Sequence, residues 1–259
     1  MAENNFSLQK TLTMLLDEKK YHSLRDILST MNPADIAAIF DDLDQACLPL
    51  LFRLLPKELA AETFVEMEPE AQELLIRGFS DSELKEVIDE LYVDDAVDIV
   101  EEMPANVVQR ILSQAEPDMR KQINEILRYP EDSAGSIMTT EYVSLRPNMT
   151  VEEAILRIRR TGIDKETIYT CYVTRGHKLI GLTSVKDLLL CEDDDATIES
   201  IMQEHVITVS TLDDKEQVAQ MFSKYNFLAL PVVDTEDRLV GIVTFDDAMD
   251  VMEDEATED

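Results

Sequence analysis

The chain has 259 residues, of which 55 are acidic and 23 are basic, and its formal net charge at pH 7 is −32. A surface this acidic repels nucleic acid phosphates and anionic lipid headgroups, so we expect no nucleic acid partner. It attracts cations instead, and its carboxylate oxygens suit hard divalent ions such as Mg²⁺ and Ca²⁺.

A short helical unit recurs through the first half of the chain. Each copy opens with Pro, Asp or Ser near its start, as the cap or first turn of a helix requires, and then spaces apolar residues three or four apart. The period is about twelve residues, so two copies form one helical hairpin, and stacked hairpins form a solenoid. We therefore predict an all-α superhelical solenoid at 1–130. The copies begin at Asn32, Leu55, Glu68, Ser80, Val93 and Met103.

The pattern changes after "RYPEDSAGSIM" (128–138), where Pro130 ends a helix and the following Asp, Ser and Gly favour a turn. Short segments rich in β-branched and aromatic residues then alternate with helical ones. The predicted helices include 150–161 and 215–225. The predicted strands are 141–145, 167–174, 178–184, 206–210, 228–233 and 238–244.

This second half is a duplication. The segment from Ser136 matches the segment from Ser200, and the segment from Tyr172 matches the segment from Val232. Each copy reads as a β-α-β-β-α unit of about sixty residues. We place the two units at 136–199 and 200–252, followed at 253–259 by the start of a further helix.

The duplicated unit resembles a tandem pair of α/β CBS (cystathionine-β-synthase) domains, through its paired "IM…V" openings and the endings "GLTSVKD" and "GIVTFDD". The helical repeat, the junction "YPEDSAGSIMTTEYVSL" (129–145) and the acidic exit resemble the MgtE family of magnesium transporters. This resemblance implies a multidomain cytosolic region, expected to be soluble. It also implies that a membrane pore domain follows in the full-length protein, which places the region at the cytoplasmic face of the membrane.

The acidic exit is the segment "FDDAMDVMEDEATED" (245–259), which has eight acids and no base after Phe245. If this segment is helical, Asp247, Asp250 and Asp254 share one face, where their carboxylates repel each other unless cations bind. A solvated acidic tail is the alternative interpretation.

A second acidic cluster is "VDDAVDIVEEM" (93–103), in which Asp94 and Asp98 are four residues apart on a predicted helix. An N-cap with an exposed face is the alternative interpretation of these aspartates.

The family resemblance gives both clusters a role in binding Mg²⁺. It implies that Glu62, Asp94 and Asp98 face Asp247 and Asp250 across bound ions. It also implies a weaker site at Glu216 near Asn226, and a further site at Glu255, Glu258 and Asp259 that is incomplete in this chain.

CBS pairs often bind adenine nucleotides, and an Asp at the end of a G-h-h-[ST]-x-x-D pattern holds the ribose in such pairs. The pattern occurs at Gly181–Asp187 and again at Gly241–Asp247. Asp187 and Asp247 are therefore nucleotide-binding candidates, and a plain helix cap is the alternative interpretation of Asp187. The sequence has no Gly-rich phosphate loop.

We find no support for catalysis. The three cysteines and three histidines lack metal-ligand spacing, and no nucleophile has an identifiable base. There is also no signal peptide and no run of eighteen apolar residues.

We therefore predict a Mg²⁺-sensing regulatory region of an MgtE-type transporter, in which bridging Mg²⁺ favours a closed pore. We expect it to form a homodimer through its CBS domains. An adenine-nucleotide-sensing CBS module with a helical scaffold, with ATP as a ligand, and a pure protein-interaction scaffold are the alternatives.

Overall fold

The computed structural model describes residues 2–41 and 43–258, with the side chains at 2–7, 9, 254 and 256–258 left out of the description. The chain divides into two compact units. The first runs to Leu91 and resumes at Asp95–Arg120, while the second comprises Tyr92–Asp94 and the chain from Lys121 onward.

Helices fill the chain up to the first strand, as the repeat predicts. They are α1 (Ala2–Asp17), α2 (Tyr21–Leu28), α3 (Pro33–Asp41), α4 (Leu48–Phe52), α5 (Lys57–Val65), α6 (Pro69–Gly78), α7 (Asp81–Ile88), α8 (Val93–Glu102), α9 (Ala105–Gln114) and α10 (Pro117–Ile126).

The twelve-residue period is real over most of this stretch, because α5 to α10 begin at residues 57, 69, 81, 93, 105 and 117. Alternate helices pack on one another, α3 on α5, α5 on α7 and α7 on α9. Local sequence sets these starts: Pro69 and Pro117 open α6 and α10, and Ser80 and Glu83 form a capping box at α7. The repeating helical hairpin is therefore confirmed.

Three phenylalanines lie in the core of the first unit. The rings of Phe52, Phe64 and Phe79 lie 5.4 to 6.5 Å apart between centroids, and each residue is at most 5% exposed. Burying each ring stabilises the unit by roughly 1.5–3 kcal/mol through area alone. No single helix buries its apolar stripe alone, so the helices are stable only as a stack.

The second unit contains two copies of one sheet, which confirms the predicted duplication. In each copy the first strand pairs parallel to the second, and the second pairs antiparallel to the third. The strands are β1 (Val143–Leu145), β2 (Thr170–Arg175), β3 (Lys178–Ser184), β4 (Val209–Ser210), β5 (Ala229–Val233) and β6 (Leu239–Thr244). The helices are α11 (Val151–Thr161), α12 (Val185–Leu190), α13 (Ile198–Ile201), α14 (Lys215–Tyr225) and α15 (Phe245–Glu258), with a 3₁₀ turn at Gly162–Asp164.

Each copy is preceded by a lead-in segment, residues 136–140 and 200–204, and each lead-in pairs with the sheet of the other copy. Thr139 and Ile242 exchange backbone hydrogen bonds of 2.8 and 2.9 Å, and Gln203 and Leu182 exchange bonds of 2.8 and 3.0 Å. Met138 is accordingly buried in the core of the second copy. This reciprocal pairing explains why the "IM" motif occurs twice.

A glycine makes each crossing possible. A Cβ on Gly241 would lie 2.6 Å from Met138 Sδ and 2.8 Å from the backbone oxygen of Thr139. A Cβ on Gly181 would meet Met202 and Gln203 in the same way. Any larger residue at these positions forces the lead-in away from the sheet.

No helix among the described residues is long and apolar enough to cross a membrane.

Substituting Gly241→Ala should lower the free energy of unfolding of the second unit by about 1–3 kcal/mol, because the new methyl group overlaps the Thr139 backbone. Chemical denaturation followed by circular dichroism measures this loss.

Gly78→Ala is the matched control, since a Cβ at Gly78 meets nothing within 4 Å and Ala favours the helix. We expect its stability to equal or slightly exceed that of the parent chain. An unchanged denaturation midpoint for Gly241→Ala would contradict the packing described above.

Candidate functional site

Helix α8 carries the first group of candidate ligands. It contains five acids and no base, and like charges four apart on a helix repel each other. Asp94 lies in its first turn and is only 5% exposed, whereas Asp98 is exposed one turn later. Glu62 is exposed on α5. Asp94 and Asp98 therefore share a helix face, as the sequence predicts.

Glu141 is a functional candidate that the sequence analysis missed. Within the second unit its Oε2 accepts the backbone N–H of Val93 at 3.0 Å, directly before Asp94. Burial raises the pKa of Glu141 above its ordinary value, although the hydrogen bond from Val93 opposes the change. No local motif marks this contact, because it joins residues 48 positions apart.

Helix α15 carries the second group, and the predicted acidic helix is observed. Asp247 lies in its first turn, where Oδ2 accepts the Thr244 hydroxyl at 2.6 Å and the Thr244 N–H at 3.3 Å. Burial raises the pKa of Asp247 to about 6, with Asp246 and Asp250 adding to the rise and the Thr244 bonds opposing it. A cation near Asp247 and Asp250 would therefore stabilise their charged forms.

Asp187 takes the same position in the first copy of the duplicated unit. Its Oδ2 accepts the hydroxyl of Ser184 at 2.6 Å, while its own N–H bonds to Ser184 Oγ at 3.0 Å. This capping box starts α12, so the helix-cap interpretation of Asp187 holds in this structure. The carboxylate is exposed and remains open to a ligand.

The third group joins two residues that the sequence analysis had assigned to separate sites. Helix α14 packs on α15, which brings the carboxyl groups of Glu216 and Glu255 within hydrogen-bonding distance. This contact raises the pKa of Glu216 to about 7, with smaller contributions from Asp214 and Asp132. Two carboxyl groups this close together can also serve as a pair of oxygen ligands for a divalent ion.

Within one chain, Glu216 and Asn226 lie at opposite ends of α14, so the structure does not bring these two candidates together. Glu216 is in the first turn of α14, whereas Asn226 is its C-cap, with φ 54° and an N–H that bonds to Phe222. Ten residues of helix separate the two by about 15 Å along the axis, so one ion in one chain cannot touch both. Asn tolerates this left-handed conformation better than most residues, which explains its presence.

Two candidates remain untested by the structure. Asp259 lies outside the described residues, and so does the side chain of Glu258. Within the described part of the chain, no three His, Cys, Asp or Glu side chains form a preformed metal cluster.

Comparison with known families matches both halves of the chain. The sequence profile described as "MgtE intracellular N domain" matches residues 31–132. The profile described as "CBS domain" matches residues 134–192 and 198–254.

The curated relatives include the magnesium transporter MgtE of Thermus thermophilus, which is 40% identical over 97% of this chain and 57% of that protein. The magnesium transporter MgtE of Bacillus subtilis is 31% identical over 96% of this chain and 55% of its own length. The chain thus spans a little over half the length of these relatives.

Two solved structures share the fold. One is the cytosolic domain of the Mg²⁺ channel MgtE in complex with ATP, with a TM-score of 0.88, 38% identity, and coverage of 94% of this chain and 99% of that chain. The other is the soluble part of a magnesium transporter, with a TM-score of 0.87, 33% identity, and coverage of 99% of this chain and 100% of that chain.

The Glu216–Glu255 contact predicts a pH dependence. Because the pKa of Glu216 rises from 4.5 to about 7 on folding, this carboxyl group stabilises the second unit fully below pH 4.5. That contribution disappears as the pH rises towards 7. In Glu255→Gln, the pKa of Glu216 should return towards its ordinary value, as measured by NMR titration of its side-chain carboxyl carbon.

Glu204→Gln is the control, because Glu204 is an exposed glutamate of the same unit outside this contact. It should leave the titration of Glu216 unchanged. A Glu216 titration near 4.5 in the parent chain would show that the two carboxyl groups do not interact.

Proposed function

The chain belongs to the MgtE family of magnesium transporters, and from this premise we propose that it is the Mg²⁺-sensing cytosolic region of such a transporter. In the whole protein this region would lie at the cytoplasmic face of the membrane and regulate a pore domain that follows it. Mg²⁺ is then both the transported ion and the regulatory signal.

The observation that carries the proposal is the contact between Glu216 and Glu255. Two carboxyl groups face each other on packed helices, and the pKa of Glu216 rises to about 7 as a result. At neutral pH the pair holds either a proton or a repulsive second charge. A divalent ion removes this repulsion, so its binding favours the conformation that keeps the two carboxylates together.

The same electrostatic argument extends to the other acidic groups. We assign as ligands Glu62 of α5, Asp94 and Asp98 of α8, and Asp247 and Asp250 of α15. Bridging Mg²⁺ would compact the protein at high ion concentration, and repulsion would separate its domains when the ion is lost. The compact state would favour the closed pore. Glu255, Glu258 and Asp259 complete the set at the start of the connecting helix.

A homodimer is the expected assembly, with the CBS pair as its interface. Exposed apolar side chains on the second unit support this, including Leu189 at 64% and Leu190 at 69% exposure on α12.

Adenine nucleotide binding is a second function that the comparisons favour, because one matching structure is described as a complex with ATP. In this chain we propose Asp187 and Asp247 as ribose ligands. Both aspartates start a helix that follows the last strand of their copy, which places their carboxylates at equivalent positions in the duplication.

Titrating Mg²⁺ into the chain up to about 20 mM should reduce its radius of gyration in small-angle scattering. The double variant Asp94→Ala, Asp247→Ala should need several times more Mg²⁺ for the same change, because it loses one proposed ligand from α8 and one from α15.

The matched control is Glu66→Ala, Asp194→Ala, which removes two exposed acids and the same net charge, one from each unit. It should follow the parent titration. No compaction of the parent chain, or equal midpoints for both double variants, would reject the proposed mechanism.

Calorimetry with ATP, ADP and AMP in the absence of Mg²⁺ tests the nucleotide proposal. We expect ATP to bind the parent chain and Asp187→Ala to weaken it at least several-fold, because the ribose loses a carboxylate partner. The proposal would be rejected if none of the three nucleotides gave a binding heat in calorimetry. A chain insensitive to both Mg²⁺ and nucleotides would favour a protein-interaction scaffold instead.

A further inference from the structure

The first unit contains an open cavity of about 390 Å³ that the proposed function does not use. Its walls come from the end of α4, the start of α5, Phe79 and one face of α7. A volume of this size matches the lower part of the range of small-molecule sites.

The cavity lies beside α4, whose start departs from the twelve-residue pattern of the repeat. Helices α5 to α10 start every twelve residues, so the same period would start α4 at residue 45. Instead α4 begins at Leu48 and is only five residues long. Phe52 at its end and Arg53 and Leu55 just after it line the cavity.

The inner wall of the cavity is apolar and rigid. Phe52 and Phe79 are 4% and 5% exposed, and their ring centroids lie 5.4 Å apart. Ala60 and Val87 are each 8% exposed and extend this wall. An apolar group of the size of an aromatic ring would find a packed aromatic surface here.

The mouth of the cavity carries two bases, Arg53 and Lys57, and two acids, Glu83 and Glu86, so its formal charges balance, and the exposed Glu86 opposes an anion. The preferred ligand then depends on which of these groups has hydrogen-bonding capacity left. Glu83 binds the Nε of Arg53 at 2.6 Å and the Nη2 at 3.4 Å, and it also accepts the N–H and hydroxyl of Ser80. These contacts hold the pKa of Glu83 at about 2, so this carboxylate stays ionised and engaged. Glu83 therefore has little capacity for a cationic ligand.

Arg53, in contrast, has N–H donors that make no hydrogen bond to Glu83. Glu83 accepts hydrogen bonds only from Nε and Nη2 of Arg53, and no hydrogen bond from Nη1 occurs among the described residues. Its side chain is 46% exposed at the cavity mouth, with Lys57 also on the lining. The guanidinium fork has five N–H donors, so it can bind a second carboxylate without releasing Glu83.

From this geometry we propose that the cavity is a binding site for a small carboxylate with an apolar, ring-sized body. The body packs on Phe52 and Phe79, and the carboxylate accepts hydrogen bonds from the Nη1 edge of Arg53. Lys57 adds a second positive charge, although it is paired with Glu90 at 2.7 Å.

The test uses 4-phenylbutyrate as the probe. The comparison probe is 4-phenylbutylamine, which has the same phenylbutyl group but the opposite charge. Both are titrated into the whole chain without Mg²⁺, so the result is independent of metal sensing. We expect saturable NMR shifts of the Ala60 and Val87 methyl groups with the carboxylate, and binding at least tenfold weaker with the amine. Absence of saturable shifts, or equal binding of the two probes, would overturn the proposal.

Three variants locate the binding. Ala60→Leu fills the cavity and Arg53→Gln removes the anion partner, so each should weaken phenylbutyrate binding at least tenfold. Arg77→Gln is the control, because Arg77 is an exposed arginine paired with Glu73 on α6, away from the cavity lining. Equal affinity of Ala60→Leu and the parent chain would show that the probe binds elsewhere. Methyl spectra of each variant report whether its fold is intact.

Discussion

The crossed pairing of the two lead-in segments is the contact on which the second unit depends. Thr139 bonds to the sheet of the second copy, and Gln203 bonds to the sheet of the first, so neither copy is complete without the other. Gly181 and Gly241 permit this approach because a side chain at either position would collide with the lead-in backbone. The two copies therefore form one unit, in which α12 and α15 follow equivalent strands.

Acidic charge is the second constraint, and it links the fold to the proposed function. Packing of α14 on α15 forces Glu216 against Glu255, and the first turn of α15 holds Asp247 half-buried beside Asp250. Both arrangements disfavour the charged carboxylates, which raises the pKa of Glu216 and of Asp247. Because basic residues are few in the chain, a divalent cation is the natural counter-charge. Under the proposed function, occupancy of these acidic sites by Mg²⁺ would report the ion concentration.

The sequence predicted what local patterns encode, and missed what depends on distant packing. The helix starts at Pro69, Ser80 and Pro104 could be predicted because caps and proline act within one turn. The Glu216–Glu255 contact could not be predicted from the sequence, since it requires the packing of two helices that are far apart along the chain. Asn226 was taken for a ligand although its place after α14 is typical of a C-cap. The shortened α4 and its cavity had no signal beyond a broken twelve-residue period.

The most direct test of the account is to observe where a divalent ion binds. Mn²⁺ prefers oxygen ligands as Mg²⁺ does and broadens nearby NMR signals. The account predicts that low Mn²⁺ selectively broadens the amide signals of residues 94–98, 216, 247–250 and 255, and that Mg²⁺ reverses the effect. The exposed acidic run at 192–195 should stay sharp. If the signals of 192–195 broadened as much as those of the proposed ligands, the account would be contradicted. The ion would then bind any acidic surface, without preference for the proposed sites.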